Sequence, residues 1–377
     1  MKSWIRIISI SIFFSIMISG NVIYAADTIS QNEWEEYDFE EVNEALDELF
    51  PNEKLDFKET VVKLISGEMK LTSDLLNQLV KERISYAFSV CKDNLVHILL
   101  IAVFAAVFTN FSNVFQNKQI SDVSFYILYL LLIALCLNSV QAVAEWIGEG
   151  IQGIVNFMSA FCPLYFLAVG MAKGSITAVA FYNLVLILIT IVEFLILKLL
   201  IPGLHIFVMV KILNYLSEEE YLSKFADLIE IIFSWTLKTL TACVVGLNLV
   251  QGLINPAIDT VKQSAVTRSA EAIPGIGDAL GGTAEVVLGT AVLIKNGIGL
   301  TGAIFCFALC VVPLIQTGVI VLIYKLAAAV IQPVSDKRII GCIECVSDGC
   351  RLMMKLIFTT ALLFLITIVI VTTLTGL

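Results

Sequence analysis

The sequence predicts an all-α, polytopic membrane protein of about eight transmembrane helices with a small helical segment outside the cytoplasm. Three observations carry this class. The 377 residues are 58% hydrophobic and 15% charged, with mean hydropathy +0.92, too apolar for a soluble domain. Several runs reach the ~18 apolar residues expected of a bilayer span. The net charge of −10 is concentrated: thirteen Asp or Glu stand against Lys54 and Lys58 between Asp27 and Glu59, a local balance of −11. The rest of the chain is near neutral, with no basic patch, so nucleic-acid binding is unsupported.

Residues 1–25 read as a secretory signal. Lys2 and Arg6 form the positive start, Ile7 to Ile18 the apolar core, and Ala25 the small residue before a cleavage point. An uncleaved anchor helix is the alternative. Either way the acidic segment 26–90 is expected outside the cytoplasm. There Phe39, Val42, Ala45, Leu46 and Leu49, then Leu64, Leu71, Leu75, Leu79, Ile84 and Phe88, recur at helical spacing. They predict amphipathic helices lying on a partner or the membrane surface, or else a solvated acidic arm.

The multispan domain is expected over 91–377. Leu95–Phe115, Val123–Val143, Ile151–Met171 and Ile176–Ile201 are the first four spans. Pro202 and Gly203 predict a break, and Leu204–Tyr215 a short interfacial or re-entrant piece. Phe225–Ile254, Ala284–Leu300, Thr301–Ile331 and Met353–Leu374 complete the set. Lys and Arg in the connections favour an N-terminus outside and put acidic loops at Glu145 with Glu149 and at 218–220 on the outer side. A weak likeness between 151–254 and 284–377 is compatible with an inverted repeat, as in many transporters, or with chance in Leu/Ile-rich sequence.

The stretch Asn255 to Arg338 differs from its surroundings. Pro274, Gly275 and Gly277 interrupt a charged helix-like segment, and small residues recur at Gly281, Gly282, Gly289, Gly297, Gly299 and Gly302. In lipid, helices associate through such small-residue faces, because Leu against Leu gains nothing over lipid. Pro274, Gly275, Gly277, Gly281, Gly282 and Gly289 are therefore the expected packing and assembly residues.

Catalytic and metal motifs are poorly supplied. Gly275-Ile276-Gly277-Asp278 spells the GxGD of intramembrane aspartyl proteases, but such a pair needs a second aspartate on a facing span, and none lies deep in another span. Cys342, Cys345 and Cys350 lack the fourth ligand that closes a zinc site. Cys91, Cys136, Cys162, Cys243, Cys306 and Cys310 fall in or beside apolar spans and read as small buried thiols. The Gly-rich run follows no strand and carries no P-loop Lys-Ser/Thr pair. No cofactor or metal is implied, and the chain reads as a non-enzyme. Ionisable residues inside spans are the stronger signal, since a charge in hydrocarbon is disfavoured unless paired or wetted. Glu193, Glu230, Lys238, Lys295 and Lys325 qualify; Glu193 and Lys238, on consecutive spans, are candidates for a polar pathway. Snorkelling to the interface is the plain alternative for Lys198, Lys325 and Glu230.

At AEAIPGIGDALGGTAEVVLGTAVLIKNGIG and IYKLAAAVIQPVSDKRII the sequence resembles the stage III sporulation protein AE family of endospore-forming Bacillota. The resemblance covers the full length. It implies a multi-pass subunit of the mother-cell membrane around the forespore, acting with stage III sporulation proteins AA to AH and the forespore protein Q. Together these would form a channel or secretion-like apparatus that supports late forespore gene expression. The lipid bilayer is a partner, and a homo-oligomer is compatible. The family has no catalytic residues to carry over. From the residues alone, a secondary transporter of a small solute, using Glu193 and Lys238, is the alternative.

Overall fold

The computed structural model describes Trp34, Lys92 and residues 37–49, 55–66, 96–100, 103–104, 118–173, 175–215, 221–271, 277–333 and 335–374. The signal-like segment and most of Leu95–Phe115 lie outside these residues. Among the described residues there is no strand, so the all-α class holds. The helices are α1 (Glu40–Leu49), α2 (Phe57–Ile65), α3 (Lys118–Lys173), α4 (Ser175–Ile191), a π-helical segment (Val192–Leu200), α5 (Ile201–Asn214), α6 (Ser223–Glu271), α7 (Gly277–Ile331) and α8 (Lys337–Leu374).

Among the described residues, five apolar helical runs are long enough to cross a membrane: Tyr126–Ala172, Ala178–Asn214, Ser223–Val250, Gly289–Ile331 and Lys337–Thr372. Against about eight expected spans, two pairs are fused, and Leu95–Phe115 lies mostly outside the described residues. Val123–Val143 and Ile151–Met171 are one helix, α3. Ala284–Leu300 and Thr301–Ile331 are one helix, α7. Leu204–Tyr215 continues the run begun by α4 instead of lying apart. At 1.5 Å per residue, the 47-residue run of α3 is ~70 Å long against a hydrocarbon core of ~30 Å, so the long helices continue well beyond one bilayer thickness.

Side-chain chemistry explains the continuity of α3 and of the α4–α5 run. Glu145 and Glu149 mark no loop. Glu145 accepts a hydrogen bond from Gln141 Nε2, one turn earlier, at 2.8 Å, and both stay on the exposed face of α3. The neighbouring glycines are contact points. Gly148 admits Ile201 of α5, and Gly150 admits Pro313 of α7, each 3.7–3.8 Å from where a Cβ would stand. Pro202 does not end its helix either. A proline ring clashes with the carbonyl four residues back, and the chain widens to a π pitch just before it: the Ile201 amide donates to Ile196 O, five residues earlier. Gly203 then lets α5 approach the Phe233 ring of α6, 3.2 Å from an added Cβ.

α3 runs antiparallel to α4, and α7 runs antiparallel to both α3 and α8. Gly170 of α3 faces Ala178 of α4. Gly299 of α7 lies beside both Tyr165 of α3 and Thr372 of α8, and the Tyr165 and Thr372 hydroxyls hydrogen-bond at 2.7 Å. α7 and α8 form the most extensive helix pair, and α3 packs on both. The α5–α6 connection is closed by buried Asn214, whose Oδ1 accepts from the Leu222 amide at 2.7 Å.

α1 and α2 belong to the same core. Asp56 caps α2 by accepting from the Glu59 amide at 2.9 Å, and Asn43 of α1 accepts from the Phe57 amide at 2.9 Å. Val42, Leu46, Phe57 and Val61 are fully buried, while Leu71, Leu75, Leu79, Ile84 and Phe88 of the expected second face lie outside the described residues. The two helices pack on the long ones, α1 on α3 and α2 on α7.

Candidate functional site

Three arrangements stand out, and the first is a charged layer at one end of the bundle. Lys211 at the end of α5 pairs with Asp348 of α8. Arg351, one turn on, meets Asp348 at 3.3 Å and Glu230 of α6 at 3.5 Å. Lys355 reaches Glu230 at 3.8 Å, and Lys325 of α7 meets Glu344 of α8 at 3.7 Å. Helical spacing puts Glu344, Asp348, Arg351 and Lys355 along neighbouring faces of α8, so one helix gathers ions from α5, α6 and α7. Lys211 and Asp348 are only about one-fifth exposed; the others are more open. Charges removed from water in this way need partners, and here each has one.

The second arrangement is a column of aromatic rings. Trp34, Tyr37 and Phe39 cluster with centroids 6.3–6.5 Å apart. Phe39 meets Phe57 at 6.1 Å, and Phe57 stacks on Phe305 of α7 at 5.8 Å and meets Phe161 of α3 at 6.0 Å. Phe161 stacks on Tyr165 at 5.2 Å. Such offset contacts add to the large apolar area that each ring removes from its surroundings. The column anchors the acidic N-terminal helices to the bundle.

Glycines that permit close approach make up the third. A Cβ on Gly302 would overlap the Phe161 ring, one on Gly297 would lie 2.6 Å from Ile65 of α2, and one on Gly153 would overlap Leu49 of α1. Gly341 meets Tyr215 in the same way. These are positions of the small-residue kind expected in lipid.

Of the expected polar pathway, Glu193 and Lys238 are not brought together. Glu193 pairs with Lys198 of its own π segment at 3.6 Å, and Lys238 lies exposed on α6. Lys295 is fully buried. Of the expected assembly residues, Pro274 and Gly275 lie outside the described residues. Gly277, Gly281 and Gly282 fall in the first turns of α7, and their surroundings lie outside the described side chains. Gly289 is exposed, with nothing within 4 Å of an added Cβ, so it contacts nothing described in its own chain. Cys342, Cys345 and Cys350 face the core together with Cys136, Cys162, Cys306 and Cys310, whereas Cys243 is exposed, against the expectation of a buried thiol. Among the described residues no group of three or more His, Cys, Asp or Glu could hold a metal ion.

The sequence analysis did not single out the charged layer or Gly153 and Gly341. Lys211 and Asp348 are 137 residues apart, and only a fold places them together. Their helical setting in apolar sequence was the available signal.

The fold and these arrangements define a helical multispan membrane protein whose polar groups serve packing and pairing. Stage III sporulation protein AE is the family that matches residues 55–375, and the chain belongs to that family. Stage III sporulation protein AE of Bacillus subtilis (strain 168) is 24% identical over 320 residues, covering 84% of this chain and 79% of the relative. No solved structure matches. The chain is thus a sporulation-related membrane protein.

Proposed function

We propose that the chain is a non-catalytic, integral subunit of the channel or secretion-like complex between mother cell and forespore. It would sit in the mother-cell membrane around the forespore with its N-terminus outside the cytoplasm. Its partners would be the other stage III sporulation proteins, AA to AH, and the forespore protein Q. The carrying observation is the family match across residues 55–375. The helices give a physical reason to expect neighbours. α6 is the least enclosed of the long runs, with 17% of its most apolar window buried, and Gly289 offers an open small-residue position on α7. Energy would come from a separate ATPase, since the chain has no nucleotide motif.

The transporter alternative is less favoured, because Glu193 lies beside Lys198 at 3.6 Å rather than paired with Lys238. The test is removal of the gene in sporulating cells, read by a late forespore-specific reporter, together with co-purification from wild-type cells. Reporter expression stops and sporulation partners co-purify if the proposal holds. A normal reporter in the deletion, or solute uptake by the purified chain in liposomes, overturns it.

A further inference from the structure

Lysines and tryptophans from four helices fall at one level of the bundle. Gly148 of α3 faces Ile201, one turn past Lys198. The Tyr165 and Thr372 hydroxyls hydrogen-bond, and seventeen residues back along the parallel helices α3 and α8 stand Gly148 and Lys355. Asn248 of α6 bonds Thr367 at 3.2 Å, while Glu230 meets Lys355, so α6 also runs parallel to α8. Ten residues back from Asn248 and Thr367 stand Lys238 and Ile357. Equal rise per residue puts Trp146, Lys198, Trp235, Lys238 and Lys355 within ~8 Å of one level. Trp235 is 74% exposed, and Lys198 and Lys238 are exposed. Tryptophan beside lysine at one depth is the pattern of a membrane–water boundary, where rings and ammonium groups both find partners.

The two sides of this level differ in charge. Residues 150–172 of α3, 175–192 of α4, 239–258 of α6 and 356–374 of α8 hold no charged residue, and α7 holds none between Lys295 and Lys325. The first four stretches, 18–23 residues each, are ~27–35 Å long, close to the ~30 Å hydrocarbon core. Their open positions on α4 and α6 include Ile187 and Leu247, 59% and 54% exposed. Glu193, one turn inside, lies beside Lys198. On the other side Asp227, Lys325 and Glu344 are 61%, 52% and 45% exposed. α1 and α2 pack on α3 and α7, whereas α4 and α6 pack on each other, so α4 and α6 form the flank on which the change is read.

We propose that the level of Lys198, Trp235, Lys238 and Lys355 is the membrane–water boundary on the α4–α6 flank, with the lysines at the lipid phosphates. The charge-free stretches occupy one bilayer, and the helix ends beyond the boundary project ~27 Å into water. This rests on the reading of the chain as a membrane-embedded subunit. It places the Lys211–Asp348–Arg351–Glu230 layer outside hydrocarbon, in the projecting part.

The test is nitroxide depth measurement on the full-length chain, purified into vesicles of phosphatidylethanolamine and phosphatidylglycerol. Single cysteines on a cysteine-free background replace exposed side chains: Ile187→Cys and Leu247→Cys on the charge-free side, Asp227→Cys and Leu326→Cys on the other. Two positions per side, each with a wild-type thermal midpoint in detergent, guard against a misfolded variant. Oxygen collides with labels in lipid, and a nickel chelate with labels in water. The oxygen-to-nickel collision ratio should be at least tenfold higher at 187 and 247 than at 227 and 326. Lipid-like ratios at all four, or the reverse pattern, overturn the boundary and leave the membrane reading standing. Water-like ratios at all four overturn both.

Discussion

Phe57 of α2 stacks on Phe305 of α7 with ring centroids 5.8 Å apart, and this contact joins the acidic N-terminal helices to the long ones. Phe57 is fully buried and also meets Phe39 and Phe161. Phe57→Ala removes the shared ring and should cost about 3–5 kcal/mol, the usual range for a buried Phe. The loss should be local, because the α7–α8 pair does not depend on it. Expected is rapid proteolysis between residues 34 and 66 with the α3–α8 core still protected. An unchanged cleavage pattern in an N-terminally tagged chain would remove the anchoring role.

Lys211 and Asp348 couple α5 to α8. Asp348→Leu alone leaves the lysine without this carboxylate in a largely enclosed position and should destabilise by about 2–4 kcal/mol, somewhat below the fully buried case because both groups keep some solvent. Lys211→Met with Asp348→Leu should recover much of the loss, since two apolar side chains need no counter-ion. Thermal unfolding in detergent measures both. Additive losses in the double variant would show that the ions act independently.

Lys198 is exposed, Glu193 is half-buried, and they are 3.6 Å apart, a geometry worth about 0–1 kcal/mol where water reaches it. Glu193→Gln and Lys238→Met should leave stability within that range and leave the late forespore reporter intact. Sporulation lost in either variant, with normal membrane levels of the chain, would restore the polar-pathway reading.

The apolar character of the chain made the all-helical membrane class legible, because the spans are long and almost uncharged. Helix ends were less legible. Glu145, Glu149 and the glycines between 148 and 153 look like a connection, yet glutamate favours helices and each glycine there admits a neighbour. Pro202 looks like a stop, but the π pitch before it absorbs the ring. At the candidate sites, composition marked the small-residue stretch as unusual without separating the glycines that pack against other helices from one that is open. Gly297, Gly299 and Gly302 pack inside the chain, and Gly289 does not. That distinction depends on which face of α7 meets α2, α3 and α8, a long-range fact. The charged layer was hidden for the same reason.

Substitutions at Gly302 and Gly289 therefore test packing within the chain and the proposed assembly separately. On Gly302 even a methyl group overlaps the Phe161 ring, and the ring is held by Phe57, Phe157 and Tyr165. Gly302→Ala should lower stability by about 1–3 kcal/mol through overpacking, which thermal unfolding in detergent reads directly. Gly289 has open space around it, so Gly289→Leu should leave the isolated chain as stable as wild type, and leucine suits a helix better than glycine. If a partner helix uses this position for close approach, the bulkier side chain blocks it. Co-purification of partner subunits should then fall several-fold with the thermal midpoint unchanged. Full partner recovery with Gly289→Leu would place the assembly face elsewhere on the bundle, with the exposed stripe of α6 the next to be tested.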